Sequence, residues 1–182
     1  MGQGGSDAAS PNPQTASDIV GFRVSSWPNA GKLWRVPEEE ENLDEEGAIE
    51  RLNRALALQY RSVLQYTLSS GSLFGFEFQA FGDRFWEFAR AELDDARRLV
   101  EKITALGGEP STEVAELRWT GDPGNAVAWL IESESDAIES LQAAIEPTGR
   151  EGRSEALEHM LEHLIMRKQD QVDYLMRGRR QA

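Results

Sequence analysis

Hydrophobic residues recur at alternating three- and four-residue spacings over four long stretches of the chain. This is the pattern of helices that bury one face in a shared core. The first two stretches cover residues 42–69 and about 76–106, and the last two cover about 122–146 and 148–176. The sequence contains no run of alternating apolar and polar residues that would predict a strand. The chain is therefore predicted to be all-α, with four helices around one core.

The lengths of the connections predict how the helices are arranged. Short turns join the first helix to the second and the third to the fourth, so each pair is predicted to form an antiparallel hairpin. Residues 107–123 form a much longer connection between the hairpins. A segment of this size can span roughly 55 Å when extended, whereas a helix of about 25 residues is roughly 38 Å long. The predicted architecture is a four-helix bundle with one long crossover between helices two and three.

Local signals place the helix ends. Asn42 begins a capping box for the first helix, and Thr148 begins another for the fourth. Gly107 follows the second helix, where glycine commonly ends a helix. Asp122 stands directly before a proline, which predicts the N-cap of the third helix.

The hydrophobic stripe of each predicted helix is interrupted by polar residues near its middle. The interrupting residues are Gln59 in the first helix, Glu92 and Asp95 in the second, Glu134 in the third, and Lys168 and Gln171 in the fourth. Residues three positions apart share a helix face, and burial of a charge without a partner is very costly. These polar groups are therefore predicted to form one interacting cluster inside the bundle.

With this pattern the chain resembles the ferritin-like proteins, and most closely the bacterioferritins. The resemblance covers about residues 48–177 and includes "AIERLNRALALQYRSVLQY", "ARAELDDARRLVEKITALGGEP", "LIESESDAIESLQAAI" and "QDQVDYL". In this family the di-iron ligands are one acid on the first helix, a pair on the second, one acid on the third and a pair on the fourth. Each pair is normally Glu-x-x-His. The resemblance implies a ferritin-like four-helix bundle.

The same resemblance, carried over position by position, implies a degenerate di-iron site. Glu92 and Glu134 keep the residue type of the family. Gln59 replaces the glutamate of the first helix, and Asp95 replaces the histidine of the second. Half of the second-helix pair and the single acid of the third helix are thus retained.

The pair on the fourth helix departs furthest from the family, because Lys168 and Gln171 stand where the family has Glu and His. The Lys168 ammonium is expected to stay protonated, hydrogen-bonded to the neighbouring carboxylates, and to supply the charge that metal ions supply in relatives. Leu93 stands at the position of the family's haem-ligating methionine, which argues against haem. No cofactor is therefore expected. The alternative is a single metal ion, such as iron, on the remaining carboxylates, Glu92, Asp95 and Glu134.

Two functions follow as hypotheses. The first is a bacterioferritin-related protein without a working ferroxidase centre, which acts as a structural or partner-binding subunit, including a subunit of an iron-handling assembly. The second is an active ferroxidase that oxidises and stores iron. We favour the first, non-enzymatic function. The resemblance also implies a homo-oligomer, at least a dimer formed through the outer faces of the first two helices, or contact with a protein partner.

The amino-acid composition argues against some classes of binding partner and indicates a cellular compartment. The formal net charge is -13, which argues against nucleic-acid binding because such proteins need a basic footprint. The absence of cysteine excludes disulfides and thiolate chemistry. No stretch approaches the ~20 apolar residues that span a bilayer, and residues 1–20 lack the pattern of a secretory signal. We expect a cytoplasmic protein with no membrane partner.

Both histidines of the chain lie in "HMLEH", where His159 and His163 match a short zinc-protease signature. Those proteases need further ligands on an α/β scaffold, which a helical chain does not provide. Both residues fall off the hydrophobic stripe of the fourth helix, so we expect ordinary surface histidines. Adventitious zinc or nickel binding, or a subunit contact, is the alternative.

The chain is predicted to divide into four segments. They are a disordered tail at 1–20, an apolar strap or arm at 21–41, the four-helix domain at 42–177 and a short tail at 178–182.

An excess of aromatic residues between 74 and 88 predicts a second contact surface beside the core stripe. The strap that contains Trp27 and Trp34 is one candidate for that contact, and another subunit is the other.

Overall fold

The computed structural model of the protein describes residues 43–73, 79–145 and 152–180. These ranges contain four long helices and no strand, so the all-α prediction is confirmed. The helices are α1 (Glu45–Ser72), α2 (Gln79–Ala105), α3 (Pro123–Ala144) and α4 (Gly152–Arg179). Within the same ranges, no helix has both the length and the hydrophobicity needed to span a membrane.

The N-terminus of α1 differs from the prediction by two residues. Its N-cap is Asp44, whose carboxylate accepts a hydrogen bond of 3.0 Å from the backbone N–H of Gly47. The predicted cap, Asn42, is wrong and lies outside the described residues. Asp44, two residues after the predicted cap, also has a cap-forming side chain, and its carboxylate reaches the first turn.

The N-terminus of α3 agrees with the prediction. Asp122 is the N-cap, and its side chain accepts from the N–H of Asn125 at 2.7 Å. Pro123 occupies the first helical position, where its missing N–H has no cost. The predicted capping box at Thr148 lies outside the described residues.

Glycine ends α2 as predicted, because the backbone there turns into the left-handed region. Gly107 has a φ of 84°, which residues with a Cβ rarely adopt. The N–H of Gly108 donates to the carbonyl of Ile103 at 2.9 Å, which satisfies one of the free carbonyls of the last turn.

The segment that follows α2 runs along α1 and confirms the long crossover. The side-chain amide of Asn53 donates to the carbonyl of Glu109 at 3.1 Å and accepts from the N–H of Ser111 at 2.7 Å. Further on, the N–H of Ala115 donates to the carbonyl of Ala57 at 3.1 Å. The crossover is thus fastened to α1 by one side chain and one backbone hydrogen bond before it reaches α3.

The four helices bury two separate apolar clusters. In the bundle α1 packs against α2 and α3, and α4 packs against α3 and α2. The larger apolar cluster consists of Ala48, Leu52, Ala55, Leu56, Ala96, Leu99, Ile103, Leu106, Leu141, Ala144, Leu157, Leu161 and Leu164. The aromatic cluster consists of Tyr66, Leu73, Phe85, Phe88, Ala89, Ala126, Leu130 and Leu175. On every helix the polar interruptions fall between the residues of these two clusters.

Candidate functional site

The six polar residues that interrupt the hydrophobic stripes are all buried, with side chains exposed by no more than 2%. We call them the polar core cluster: Gln59, Glu92, Asp95, Glu134, Lys168 and Gln171. Each lies on the inward face of its helix, at the level between the larger apolar cluster and the aromatic cluster. The helical periodicity that buries leucine on either side therefore also carries these polar groups into the core.

Lys168 lies at the centre of the polar core cluster. Its Nζ donates to Glu92 Oε2 at 2.5 Å and to Glu134 Oε2 at 2.7 Å. A longer bond of 3.3 Å joins Nζ to Ser62 Oγ. Burial lowers the pKa of Lys168, but the negative charges of Glu134 and Glu92 outweigh burial, so the pKa is raised above its ordinary value. Lys168 is therefore a buried ammonium that joins α4 to α1, α2 and α3.

Gln59 provides the second link to Glu92. Its Nε2 donates to Glu92 Oε2 at 2.5 Å and to the backbone carbonyl of Glu92 at 2.9 Å. A single carboxylate oxygen thus accepts from both Gln59 and Lys168. This arrangement ties α1, α2 and α4 together at one point.

Asp95 has different partners from those predicted. The expected hydrogen bond from Lys168 is wrong: Asp95 Oδ1 accepts from Arg167 at 2.7 Å and lies 3.7 Å from Arg98. Arg167 is the neighbour of Lys168 on α4, and its longer side chain reaches across to α2. Burial raises the pKa of Asp95, Arg167 opposes this and Glu92 adds to it, so the pKa stands at about 6 instead of 3.8.

Gln171 makes only one weak contact with its neighbours. The hydroxyl of Tyr66 donates to Gln171 Oε1 at 3.5 Å, and Gln171 Nε2 has no hydrogen-bond partner in the described part of the chain. Of the residues predicted to form one interacting cluster, Gln59 thus donates to a carboxylate, whereas the hydrogen bond of Gln171 among the described residues is to Tyr66. Burial, followed by the charges of Glu134 and Glu92, raises the pKa of the Tyr66 hydroxyl well above its ordinary value.

Each of the three acids keeps one oxygen without a hydrogen-bond partner among the described residues. These oxygens are Glu92 Oε1, Asp95 Oδ2 and Glu134 Oε1. Burial raises the pKa of Glu134, the charge of Lys168 opposes the rise, and the charge of Glu92 adds to it. The net direction for the pKa of Glu134 is upward, because burial together with the charge of Glu92 outweighs the charge and hydrogen bond of Lys168.

Sequence reasoning missed two polar residues beside the cluster. Ser62 is fully buried and lies three residues after Gln59, so the spacing that revealed the other residues could have revealed it. Arg61 is 8% exposed and donates to the carbonyl of Ser133 at 2.7 Å, with Asp136 Oδ2 at 3.4 Å. Arg61 ties α1 to α3, and nothing in its sequence neighbourhood distinguishes it from Arg51 and Arg54, the more exposed arginines of α1.

The two histidines lie on the outside of α4, as predicted. Both are exposed, whereas the side chain of Lys168 on the same helix is completely buried. His159 Nδ1 lies 3.2 Å from Glu162 Oε2. Among the residues that the structure describes, no three His, Asp or Glu side chains converge so that they could hold a metal ion.

Comparison with known proteins finds a match to one family model and matches to solved structures. The model of the ferritin-like domain family matches residues 49–177, which is most of the chain. No curated protein sequence matches.

The solved structures that share the fold include the following two. One comprises ferritin-like, diiron-carboxylate proteins from Bacillus anthracis, with a TM-score of 0.69 and 24% identity over 75% of this chain and 98% of that chain. The other is a bacterioferritin from Rhodobacter capsulatus, described with a metal-free dinuclear site and haem iron. It has a TM-score of 0.67 and 21% identity over 74% of this chain and 84% of that chain.

Proposed function

The chain belongs to the ferritin-like domain family, and from that premise we propose that it is a structural or partner-binding member in which an ammonium replaces the metal ions. The observation that carries the proposal is the position of Lys168. Its Nζ lies 2.5 Å from Glu92 and 2.7 Å from Glu134, and none of the three side chains is exposed. The charge that these carboxylates require is thus supplied by the protein itself.

The residues of the polar core cluster do not fit a di-iron centre. Such a centre takes a glutamate from each of two helices and a Glu-x-x-His pair from each of the other two. Here the six positions supply three carboxylates, two amides and one ammonium. An ammonium within hydrogen-bond distance of two of the three carboxylates repels a divalent ion there, most strongly where the local dielectric constant is low. We therefore assign no ferroxidase activity to the cluster.

The cluster instead fixes the four helices against one another. Lys168 and Gln59 both donate to the carboxylate of Glu92, and Lys168 also donates to Glu134. Removal of one partner from a buried ion pair typically costs about 3–5 kcal/mol, because the other charge stays buried without compensation. A cluster of this kind disfavours helix arrangements that would separate the ammonium from its carboxylates.

A specific observation favours the second candidate, an active iron-oxidising and iron-storing protein. The unpartnered oxygens of Glu92, Asp95 and Glu134 leave acceptor capacity in the core. Carboxylate oxygens are suitable ligands for hard divalent cations. Under this alternative, Lys168 would have to move away from Glu92 and Glu134 before an ion could bind.

We place the partner-binding role on the outer side of the α1–α2 hairpin. The two helices expose four large apolar side chains there: Leu64, Leu68, Trp86 and Leu93. Trp86 is 50% exposed and Leu93 is 58% exposed. Residues with this much exposure on a helix face are usually polar. Exposed apolar residues in such numbers are typical of surfaces that bind another protein or a second copy of the chain. We propose at least a dimer.

Iron loading tests the metal-free core. The full chain is exposed to Fe²⁺ under anaerobic conditions and then to air, and bound iron is measured by elemental analysis. We expect no stoichiometric iron that depends on the core acids. The matched control is Glu92→Gln, which preserves the shape of the side chain. Stoichiometric iron in the wild type that Glu92→Gln removes would support the iron-storing alternative and overturn the proposal.

Light scattering tests the assembly surface. We expect Leu93→Arg to lower the mass of the particle, because it places a charge in the proposed apolar contact. Met166→Arg on α4, a residue that is 60% exposed, is the matched control and should leave the mass unchanged. A monomeric wild type, or an equal effect of both variants, would refute the placement on α1 and α2.

A further inference from the structure

The outward face of α4 carries the only two histidines of the chain, one helical turn apart. His159 and His163 stand at positions i and i+4 of a regular helix, which places their Cβ atoms about 6 Å apart. Both are exposed, and the side chain of His159 is 74% exposed. Two imidazoles at this spacing on one helix face can bind the same metal ion, as they do in the HExxH motif.

Glu162 lies where it can orient one of the two imidazoles for metal binding. His159 Nδ1 lies 3.2 Å from Glu162 Oε2. A carboxylate only accepts hydrogen bonds, so in the neutral imidazole Nδ1 carries the proton and Nε2 keeps its lone pair. The same arrangement, in which a carboxylate orients a histidine through its second nitrogen, recurs around metal sites in proteins. Glu162 is therefore a positioning residue for His159.

Met166 extends the face by another turn. It lies three residues after His163 and is 60% exposed, so its thioether is not used to fill the core. A thioether is a soft ligand that binds monovalent copper better than hard divalent ions. The face thus offers two imidazole nitrogens and a neighbouring sulfur, and its ligand set differs from the all-oxygen acceptors of the buried acids.

We propose that His159 and His163 form a surface two-imidazole site for a divalent transition-metal ion, with water completing the coordination. Imidazole suits copper, nickel and zinc, and among these Cu²⁺ forms the tightest complexes with a given ligand set. The net charge of -13 raises the local concentration of cations around the chain. The site is separate from the polar core cluster and goes beyond the proposed function, which does not depend on it.

Calorimetry with Cu²⁺ on the full chain at neutral pH tests the site. We expect His159→Gln and His163→Gln each to weaken binding about tenfold or more, because even loss of a residue that only orients a ligand typically costs 10–100-fold in affinity. Glu162→Ala should weaken binding to a smaller extent. The matched control is Glu155→Gln, which removes an exposed carboxylate one turn before His159 and should leave the affinity unchanged.

Electron paramagnetic resonance of the Cu²⁺ complex provides a readout that general electrostatic attraction would not reproduce. We expect hyperfine coupling to two imidazole nitrogens in the wild type and to one in either single variant. Equal Cu²⁺ affinity in the wild type and in His159→Gln/His163→Gln would overturn the proposal, and so would a spectrum without nitrogen coupling. The carboxylates of the polar core cluster cannot produce coupling to imidazole nitrogens, so failure here and failure of the proposed function are distinguishable.

Discussion

Leu161 and Lys168 lie seven residues apart on the same face of α4, and neither exposes any of its surface to solvent. Leu161 belongs to the larger apolar cluster, and Lys168 is the centre of the polar core cluster. Burial of a leucine is favourable by itself, at about 1.5–3 kcal/mol. Burial of an ammonium is unfavourable until partners compensate for the lost hydration. Leu161 is therefore buried because its own burial is favourable, whereas Lys168 is buried because its partners compensate for the lost hydration.

This difference determines how each region responds to mutation. In the apolar cluster a truncation removes contacts and leaves a cavity, and the loss depends on how well the neighbours relax. In the polar cluster a truncation leaves charges behind that the native fold had paired. The polar region should therefore recover when its partners are neutralised as well, and the apolar region should not.

The largest expected effect is that of Lys168→Met, which keeps the length of the side chain and removes its charge. Glu92 and Glu134 would then be buried without the ammonium, and we expect a loss of about 3–5 kcal/mol in the free energy of unfolding. Urea denaturation measures the loss. Addition of Glu92→Gln and Glu134→Gln should restore part of it.

The control for that prediction is Lys102→Met on α2, a lysine that is only partly buried and has no ion pair with a carboxylate among the residues that the structure describes. We expect a change within about 0.5 kcal/mol, as for most substitutions near the surface. An equal loss in both variants would mean that the ion pairs of Lys168 contribute nothing specific.

Leu161→Ala should cost about 3 kcal/mol, within the usual range for a fully buried leucine. The loss arises from missing contacts and a cavity, so it should be independent of pH and should not recover with Glu92→Gln. Thermal unfolding at two pH values checks both points. Rescue by a change in the polar cluster would contradict the separation of the two regions.

Asp95→Asn should change how stability depends on pH. The pKa of Asp95 is about 6 in the folded protein and 3.8 in the reference state, so the folded state binds the proton more tightly. Its contribution to stability is therefore greatest below the lower value and is lost as the pH rises through about 6. We expect the stability of the wild type relative to Asp95→Asn to fall over this interval in urea denaturation. A difference that is constant or rises with pH would refute the shift.

Ser62→Ala has the smallest expected effect. Its hydroxyl lies 3.3 Å from Lys168 Nζ, at the long end of hydrogen-bond distances, and Lys168 keeps two carboxylate partners without it. We expect a loss of about 1 kcal/mol in thermal unfolding. A loss as large as that of Lys168→Met would mean that the hydroxyl, rather than the carboxylates, holds the ammonium.

The sequence predicted the members of the polar core cluster because burial in a helical bundle follows a period that can be read directly. Lys168 and Glu134 were found from their positions on the stripes, with no knowledge of their contacts. The partner of Asp95 could not be found in this way. Arg167 lies off the stripe of α4, and its guanidinium reaches the core only through a long side chain whose rotamer depends on the packed neighbours.

At the helix ends too, one feature could be predicted from the sequence and another depends on the folded structure. Asp122 was identified as the N-cap of α3 because a single cap-forming residue stands directly before Pro123. For α1 the predicted cap, Asn42, is wrong, because Asp44 also has a cap-forming side chain and the three-dimensional path of the chain decides which residue caps the helix.

Divalent metal binding by Lys168→Glu tests whether the ammonium of Lys168 takes the place of a metal ion. This substitution removes the ammonium between Glu92 and Glu134 and adds a carboxylate at the position where the ferritin-like pattern has a ligand. We measure Mn²⁺ binding by calorimetry in the His159→Gln/His163→Gln background, with Lys168→Gln as the control that removes the charge without adding a carboxylate. We expect Lys168→Glu to gain Mn²⁺ affinity over the chain that retains Lys168. Equal Mn²⁺ binding with Lys168 and with Glu at this position would contradict the claim that the ammonium takes the place of the metal.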